Sequence, residues 1–213
     1  MSGETNFVGM IKFGVILALF GVSACLLLAF VYLGTKGPIA QHQAANLQAA
    51  LEDLFPDADD FKEIDNIQSP DPSVVLESAF AAMKNGEVFG AALTLSRASY
   101  SGPIKVMAGI STSGIVIGVK ILEHSDTPGL GANAASDKYF VDKPNKITFY
   151  GQFAGKKVTD PFEVKKDIII ITASTITSHA VAASVKAAGV AAAAWFSGRE
   201  ADAISSASKK EEQ

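Results

Sequence analysis

The chain has 213 residues, of which 48% are hydrophobic and 19% charged, and its formal net charge is −4. This acidic balance argues against a nucleic-acid partner, which would require a basic face. The single cysteine excludes an internal disulfide, and it excludes iron–sulfur or thiolate zinc sites built by this chain alone. The three histidines lie far apart in the sequence, so no metal-ligand spacing is present.

The N-terminal segment is uncharged and strongly apolar from Phe13 to Leu33. A run of about 20 such residues is long enough to cross a bilayer core, so we predict a transmembrane helix in contact with lipid. A cleaved signal peptide is the alternative, but the run is long for one and no clear cleavage site follows it. Residues 1–36 are therefore assigned to a leader and a membrane anchor.

Residues 37–72 are predicted to connect the anchor to a folded domain. Gly37–Pro38 is expected to end the span, and apolar residues at helical spacing predict a second helix over Ala44–Phe55. The rest of this stretch is acidic and contains three prolines, which is typical of an irregular linker.

From residue 73 the pattern favours strands. Val74–Ala82 and Val88–Leu95 flank an Asn85–Gly86 pair, which suits the positive φ angles of a type I′ hairpin turn. Ile104–Ile110 and Ile115–Leu122 form a second predicted hairpin. With a helix at the C-terminus, these hairpins indicate an α+β domain over residues 73–198.

The C-terminal part of the domain is predicted to be extended over Pro161–Val164 and Asp167–Ile171 and then helical over Thr177–Phe196. Lys186, together with modest hydropathy, argues against a second membrane span in this helix. Residues 199–213 are predicted to be a polar, frayed tail.

A corner rich in hydroxyl groups lies between the isoleucine run and the last helix. A strand that turns into a helix directs backbone N–H groups toward one point, and the positive end of the helix dipole favours a phosphate there. Two other interpretations stay open on spacing alone. One hydroxyl caps the helix while the others satisfy loop backbone groups, or the corner binds a phosphate without a covalent bond. The candidate residues are Ser174, Thr175, Thr177 and Ser178.

A second candidate is the loop Thr127-Pro128-Gly129-Leu130-Gly131. Proline fixes part of its backbone, and two glycines permit the close approach of a flat ligand. An ordinary Pro-Gly turn explains the same residues. His124 and Asp126 precede the loop and are able to hydrogen-bond a ligand, although polar loop residues commonly have no such role.

Taken together, the two features resemble the FMN-binding domain family. Thr172–Val181 is similar to that family's flavin-attachment motif, and Glu123–Gly131 is similar to its Glu-Thr-Pro-Gly-Leu-Gly segment. Tyr100–Ile104 and Gln152–Lys156 also resemble internal signatures of the family. The resemblance covers roughly residues 74–196 together with the anchor.

Within this family, the length and the N-terminal span most resemble the RnfG subunits of the Rnf electron-transport complexes. The NqrC subunits of the sodium-translocating NADH:quinone reductases are a similar alternative. The resemblance implies that Thr175 is joined to the phosphate of FMN, which makes the chain a phosphoprotein. Ala173 and Ser174 replace the usual Gly and Ala, and Ala173 adopts a positive φ less readily than glycine.

The resemblance further implies maturation by a separate flavin transferase outside the cytoplasm. The domain would then face the periplasm or cell exterior, on a single-pass anchor in the inner membrane. Other membrane subunits of an ion-translocating ferredoxin:NAD oxidoreductase are the implied partners. We therefore expect an electron carrier rather than a complete enzyme, and no catalytic residue is assigned. A non-redox binding or sensor module and a secreted structural domain remain as alternatives.

Overall fold

The structure is a computed structural model that describes the backbone of residues 4–211 and the side chains of residues 7 and 9–199. The chain divides into two compact units, Met1–Leu47 and Gln48–Gln213. The second unit contains the strands that the structure describes, and it also contains the candidate residues of the loop 127–131 and of the corner 174–178.

The N-terminal helix α1 runs without a break from Glu4 to Leu54. Our expectation that Gly37–Pro38 would separate the apolar helix from a second helix is wrong. Pro38 lacks a backbone donor and its ring crowds the preceding turn, but a long helix can accommodate one proline, and α1 continues through it. The apolar stretch has a mean hydropathy of 2.7 and none of it is buried by the protein. Its length and composition suit a bilayer span.

Five antiparallel strands form one sheet in the order β1-β2-β3-β4-β5. The strands are β1 (Asp60–Glu63), β2 (Val74–Lys84), β3 (Glu87–Ala98), β4 (Pro103–Ser111) and β5 (Val116–Glu123). Both predicted hairpins are confirmed, and Asn85 and Gly86 take φ angles of 52° and 83° in the turn between β2 and β3. Strand β1 lies in the stretch that was interpreted as a linker. The sequence pattern missed it because the strand is short, charged and mostly exposed.

One face of the sheet is covered by helix α2, which runs from Thr175 to Glu211. It starts two residues before the predicted position and continues beyond Phe196, through the residues expected to fray; only 212–213 lie outside the described residues. Val181, Val185 and Ala188 are fully buried against the core, as their shared face predicts. This burial marks the first part of α2 as a core helix although its composition would also permit a membrane span.

The isoleucine run before α2 forms no regular strand, only an isolated bridge between Ile168 and Val164, so a strand over Asp167–Ile171 is not present. Ile168 and Ile171 are buried. Ile168 N–H donates to Glu163 C=O, whereas two later N–H groups of the run go to side chains. Ile169 donates to Gln152 Oε1 (2.7 Å) and Ile171 donates to Ser178 Oγ (3.1 Å). The segment is apolar because it fills the core, and side-chain acceptors replace the neighbouring strand that a ladder would require.

The preceding segment, Pro161–Val164, is not extended either, since Phe162 adopts a φ of 51°. Between β5 and this segment lie two short 3₁₀ helices, Gly131–Ala135 and Gly151–Phe153. A small ribbon separates them, formed by β6 (Phe140–Asp142) and β7 (Ile147–Thr148). Its short elements leave little periodicity for a sequence pattern to detect.

The other face of the sheet receives the C-terminal end of α1. Phe55 lies so close to Gly90 and Gly109 that a Cβ at either position would press on its ring, at 3.1 Å for Gly109. Leu54 Cδ2 similarly lies 2.9 Å from where a Cβ of Gly118 would be. We call these three glycines, one on each of β3, β4 and β5, the glycine shelf. Because of this packing, the residues assigned by pattern to a juxtamembrane helix and linker include part of the folded unit, which begins at Gln48.

Candidate FMN-binding site

Three loops converge on a cavity of about 490 Å³. They are the turn between β3 and β4, the loop that follows β5, and the corner that leads into α2. The residues that line the cavity are Tyr100, Asp126, Thr127, Leu130, Gly131, Ala173, Ser174, Thr175, Ile176 and Thr177.

Asp126 holds these three loops together. Its side chain is only 5% exposed. Ser99 Oγ donates to Asp126 Oδ2 at 2.6 Å, and Thr177 Oγ1 donates to the same oxygen at 2.7 Å. The backbone N–H of Ser101 donates to Oδ1 at 3.0 Å. One buried carboxylate therefore fixes the β3–β4 turn, its own loop and the start of α2 relative to one another.

The same contacts keep Asp126 ionised. Burial by itself would raise the pKa of this carboxyl, because it disfavours the charged form. The hydrogen bonds from Ser99, Ser101 and Thr177 outweigh burial, and the pKa is held below its ordinary value of 3.8. His124 adds a smaller electrostatic contribution in the same direction. Asp126 is thus a fixed negative charge at neutral pH.

The loop Thr127–Gly131 lies against this carboxylate. A Cβ at Gly131 would come within 2.7 Å of both Asp126 Oδ2 and Thr177 Oγ1, so only glycine permits the observed approach. Gly129, the other glycine of the loop, has a φ of 79°, a turn conformation that glycine adopts easily. Thr127 and Leu130 line the cavity together with Gly131, whereas Pro128 and Gly129 shape the loop from outside the cavity lining.

The corner before α2 is closed by a residue with positive φ. Ala173 adopts a φ of 58°, the left-handed conformation that glycine takes more readily. The N–H of Ser174 then donates to Ile171 C=O at 3.0 Å, and Ser178 N–H donates to Ser174 C=O at 3.0 Å. Helix α2 consequently begins at Thr175, with the N–H groups of its first turn free of intrahelical partners.

Two of the corner's hydroxyl groups serve the fold. Ser178 Oγ donates to Ser174 C=O (2.9 Å) and accepts from Ile171 N–H (3.1 Å), while Thr177 is bonded to Asp126. These contacts match the interpretation in which corner hydroxyls satisfy local backbone and loop groups. Thr175 differs, because it is exposed and lines the cavity. Its hydroxyl has no hydrogen-bond partner among the side chains and backbone that the structure describes.

We expect Ala173→Gly to stabilise the protein by about 0.5–1 kcal/mol. The left-handed conformation costs alanine about 1–2 kcal/mol, and the greater unfolded-state entropy of glycine offsets part of the gain. Thermal unfolding of the detergent-solubilised chain by far-UV circular dichroism measures the change. Ala194→Gly, at an exposed helical position of α2, is the matched control and should destabilise by about 1 kcal/mol. Equal destabilisation by both variants would contradict a strained corner.

Sequence reasoning missed two residues that line the cavity, Tyr100 and Ile176. Both are exposed apolar side chains, at 73% and 53%. Tyr100 lies in the Tyr-Ser-Gly-Pro-Ile signature, so the resemblance contained a signal for it, although no role was assigned. His179, one helical turn after Thr175, is exposed and does not line the cavity. Among the residues described, no cluster of His, Cys, Asp and Glu is arranged to hold a metal ion.

Comparison with known proteins agrees with this geometry. The profile of the FMN-binding domain family matches residues 99–189, which include all three cavity loops. The profile of the RnfG N-terminal region matches residues 3–54, which correspond closely to α1. The second match distinguishes between the two families considered from the sequence and favours RnfG over NqrC.

Relatives with assigned names align along most of the chain. The G subunit of an ion-translocating oxidoreductase complex from Cereibacter sphaeroides is 31% identical over 183 residues, covering 81% of this chain and 79% of the relative. The G subunit of the Na⁺-translocating ferredoxin:NAD⁺ oxidoreductase complex of Acetobacterium woodii is 31% identical, with 82% and 87% covered. The corresponding protein from Aliivibrio fischeri is 33% identical, with 88% and 90% covered.

These matches extend from the anchor through the cavity loops. The apolar part of α1 is exposed throughout, and the apolar helix α2 is used in the core. The chain therefore belongs to the RnfG family of ion-translocating oxidoreductase complex subunits, with one membrane-spanning helix followed by an FMN-binding domain.

Proposed function

We propose that this chain carries FMN as a phosphoester on Thr175 and relays electrons within an Rnf-type ion-translocating complex. The observation that carries the proposal is the state of Thr175. It is the first residue of α2, it is exposed and it lines the cavity, whereas Ser174 is buried and the hydroxyls of Thr177 and Ser178 are bonded within the protein. A hydroxyl in this position is accessible to a modifying enzyme and adjacent to a space that suits the attached group.

The residues around the cavity fit the flavin. A volume of about 490 Å³ falls within the range of roughly 300–1,000 Å³ that is usual for small-molecule sites. The first turn of α2 offers N–H groups and the positive end of the helix dipole to a phosphate. Exposed apolar side chains of Leu130 and Ile176 provide surfaces for a flat ring. In this assignment Ser174 lies beside the phosphate, and Thr127–Gly131 lies near the ring.

Attachment requires one bond to form and one to break. The Thr175 oxygen bonds to the phosphorus of the FMN moiety of FAD, AMP leaves from that phosphorus, and the hydroxyl proton is released. Asp126 is not assigned as the base, because it is buried, its pKa is lowered and it already accepts from Ser99, Ser101 and Thr177. The flavin transferase implied by the resemblance would supply the catalytic groups, so Thr175 has only to be reachable.

When bound, FMN supplies reversible one- and two-electron chemistry. The protein contributes the tether, because attachment through the phosphate leaves the ring free to react and prevents loss of the cofactor. The chain's only cysteine, Cys25, lies in α1, so the folded domain offers no thiolate ligands for an iron–sulfur cluster. These properties support a carrier that receives and passes on electrons between other subunits.

The proposal also includes the partners and the orientation of the domain. Other membrane subunits of the complex are the proposed electron donor and acceptor, and lipid contacts the exposed apolar surface of α1. The domain that follows α1 is assigned to the periplasmic or extracellular side of the inner membrane, where the flavin transferase would act. By analogy with the name of the Acetobacterium relative, the complex would oxidise ferredoxin and reduce NAD⁺.

Intact mass spectrometry of the native protein tests the proposal. Chain purified from its own membranes should be heavier than the polypeptide by one FMN less one water, and fragmentation should place the added mass on Thr175. Expression in a host without a flavin transferase provides the unmodified reference. A native chain with the bare polypeptide mass would refute the covalent assignment, and the absence of any flavin would favour a non-redox binding module.

A further inference from the structure

Tyr100 is an unusually exposed aromatic residue for one that borders a cavity. Its side chain is 73% exposed, yet it lines the same space as Thr175. Large aromatic side chains are stabilised by burial and by stacking on other π systems. We infer that Tyr100 stacks on the isoalloxazine ring of the flavin and so acts as a positioning residue for it. This inference rests on the proposed function.

The backbone on both sides of Tyr100 is fixed. Ser99 N–H donates to Gly102 C=O at 2.8 Å, which closes the turn. Ser99 Oγ and Ser101 N–H both donate to Asp126, at 2.6 and 3.0 Å. The backbone of Tyr100, between them, is therefore held in a fixed turn, and its ring projects from that turn largely exposed.

The same carboxylate connects Tyr100 to the attachment point. Thr177, two positions after Thr175 in the first turn of α2, donates to Asp126 Oδ2 at 2.7 Å. The turn that carries Tyr100 and the helix start that carries Thr175 are thus tied to one buried group. A flavin tethered at Thr175 would extend into a cavity in which the backbone of Tyr100 is fixed relative to the attachment point.

The other exposed side chains of the cavity complete an apolar site. Leu130 is 42% exposed and Ile176 is 53% exposed, and both line the cavity with Tyr100. Polar groups are concentrated around Asp126 and the start of α2. The polar groups at the helix start suit the phosphate of FMN, and the apolar surfaces of Tyr100, Leu130 and Ile176 suit its ring.

Flavin fluorescence tests the inference on the full-length, flavinylated protein. An electron-rich phenol stacked on the ring quenches its emission by electron transfer. Tyr100→Leu should keep the flavin attached by mass, raise the fluorescence yield several-fold and alter the visible circular dichroism of the flavin. Tyr100→Phe retains the stacking surface without the oxidisable phenol, so it should raise the yield while preserving the dichroism. Val75→Ala, at an exposed position on β2 outside the cavity lining, is the control.

The outcomes separate this inference from the proposed function. Flavin attached to every variant, with the emission of Tyr100→Leu equal to that of the control, would overturn ring stacking and leave the carrier function intact. A native protein without flavin would refute both. If Tyr100→Leu is not flavinylated, Tyr100→Phe decides the question, because unchanged emission from that variant would also overturn the assignment.

Discussion

Thr175→Ala should abolish covalent flavin completely, which is the largest effect expected of any single substitution in this chain. Alanine has no oxygen to form the phosphoester, and Ser174 beside it is buried, only 7% exposed. Thr177 and Ser178 are buried and hydrogen-bonded within the protein. Intact mass and in-gel flavin fluorescence of chain produced together with a flavin transferase measure the loss.

Two further substitutions make this result specific to Thr175. Thr172→Ala removes an exposed hydroxyl from the same corner and should leave the added mass unchanged. Thr175→Ser retains an oxygen at the first residue of α2 and should retain at least part of the modification. Full flavinylation of Thr175→Ala would show that another residue is the acceptor and would refute the proposed site.

The second large effect is expected for Asp126→Ala, which should destabilise the domain by about 3 kcal/mol. Hydrogen bonds to a buried charged group contribute roughly 1.5–3 kcal/mol each, and their contributions are not additive. The substitution leaves Ser99, Thr177 and the N–H of Ser101 without their common acceptor. Asp126→Asn should cost less, about 1 kcal/mol, because one oxygen remains and the hydroxyls are able to accept from the amide. Thermal unfolding of the detergent-solubilised chain measures both losses.

The contribution of Asp126 should also depend on pH in a defined direction. Its folded-state pKa lies below the ordinary value of 3.8, so the stabilisation is fully present at pH values above the unfolded pKa. It is lost as the pH falls through the folded pKa. The stability difference between wild type and Asp126→Ala should therefore be constant from about pH 5 to 8 and shrink below about pH 4.

Asp137→Ala is the matched control for this pH dependence, because Asp137 is an exposed aspartate in the segment after the same loop. Its effect on stability should be small at every pH, as is usual for surface substitutions. A difference between wild type and Asp126→Ala that grows toward acidic pH would contradict an ionised, hydrogen-bonded Asp126.

Much of the sheet could be predicted because its signals are local. The Asn85–Gly86 turn specifies a hairpin by backbone conformation alone, and both predicted hairpins formed with only small differences at their ends. Ile168–Ile171 was misjudged for the opposite reason. An apolar run reports burial but not a pairing partner, and here Gln152 and Ser178 replace that partner. Pro38 similarly failed to end α1, since one missing donor is a weak signal within a long helical segment.

The candidate site shows the same division. The corner around Thr175 and the loop Thr127–Gly131 were found because each is contiguous in sequence, and a resemblance connected them. The role of Asp126 was not found, because its partners Ser99 and Thr177 lie far away along the chain. Tyr100 was missed for a related reason. Its importance depends on a cavity that exists only after three loops have come together.

The glycine shelf has a consequence for whether this protein is modular. Leu54, the last residue of α1, and Phe55 directly after it are buried against Gly90, Gly109 and Gly118, so the end of α1 and the residue after it supply part of the interior of the domain. A graft of the domain onto a foreign anchor at residue 73, where the sequence pattern changes, would remove Phe55 from the sheet and expose the apolar surface that it covers. A graft at Gln48 would keep it. The anchor of this chain should therefore be replaceable without disturbing the sheet only at residues before Gln48.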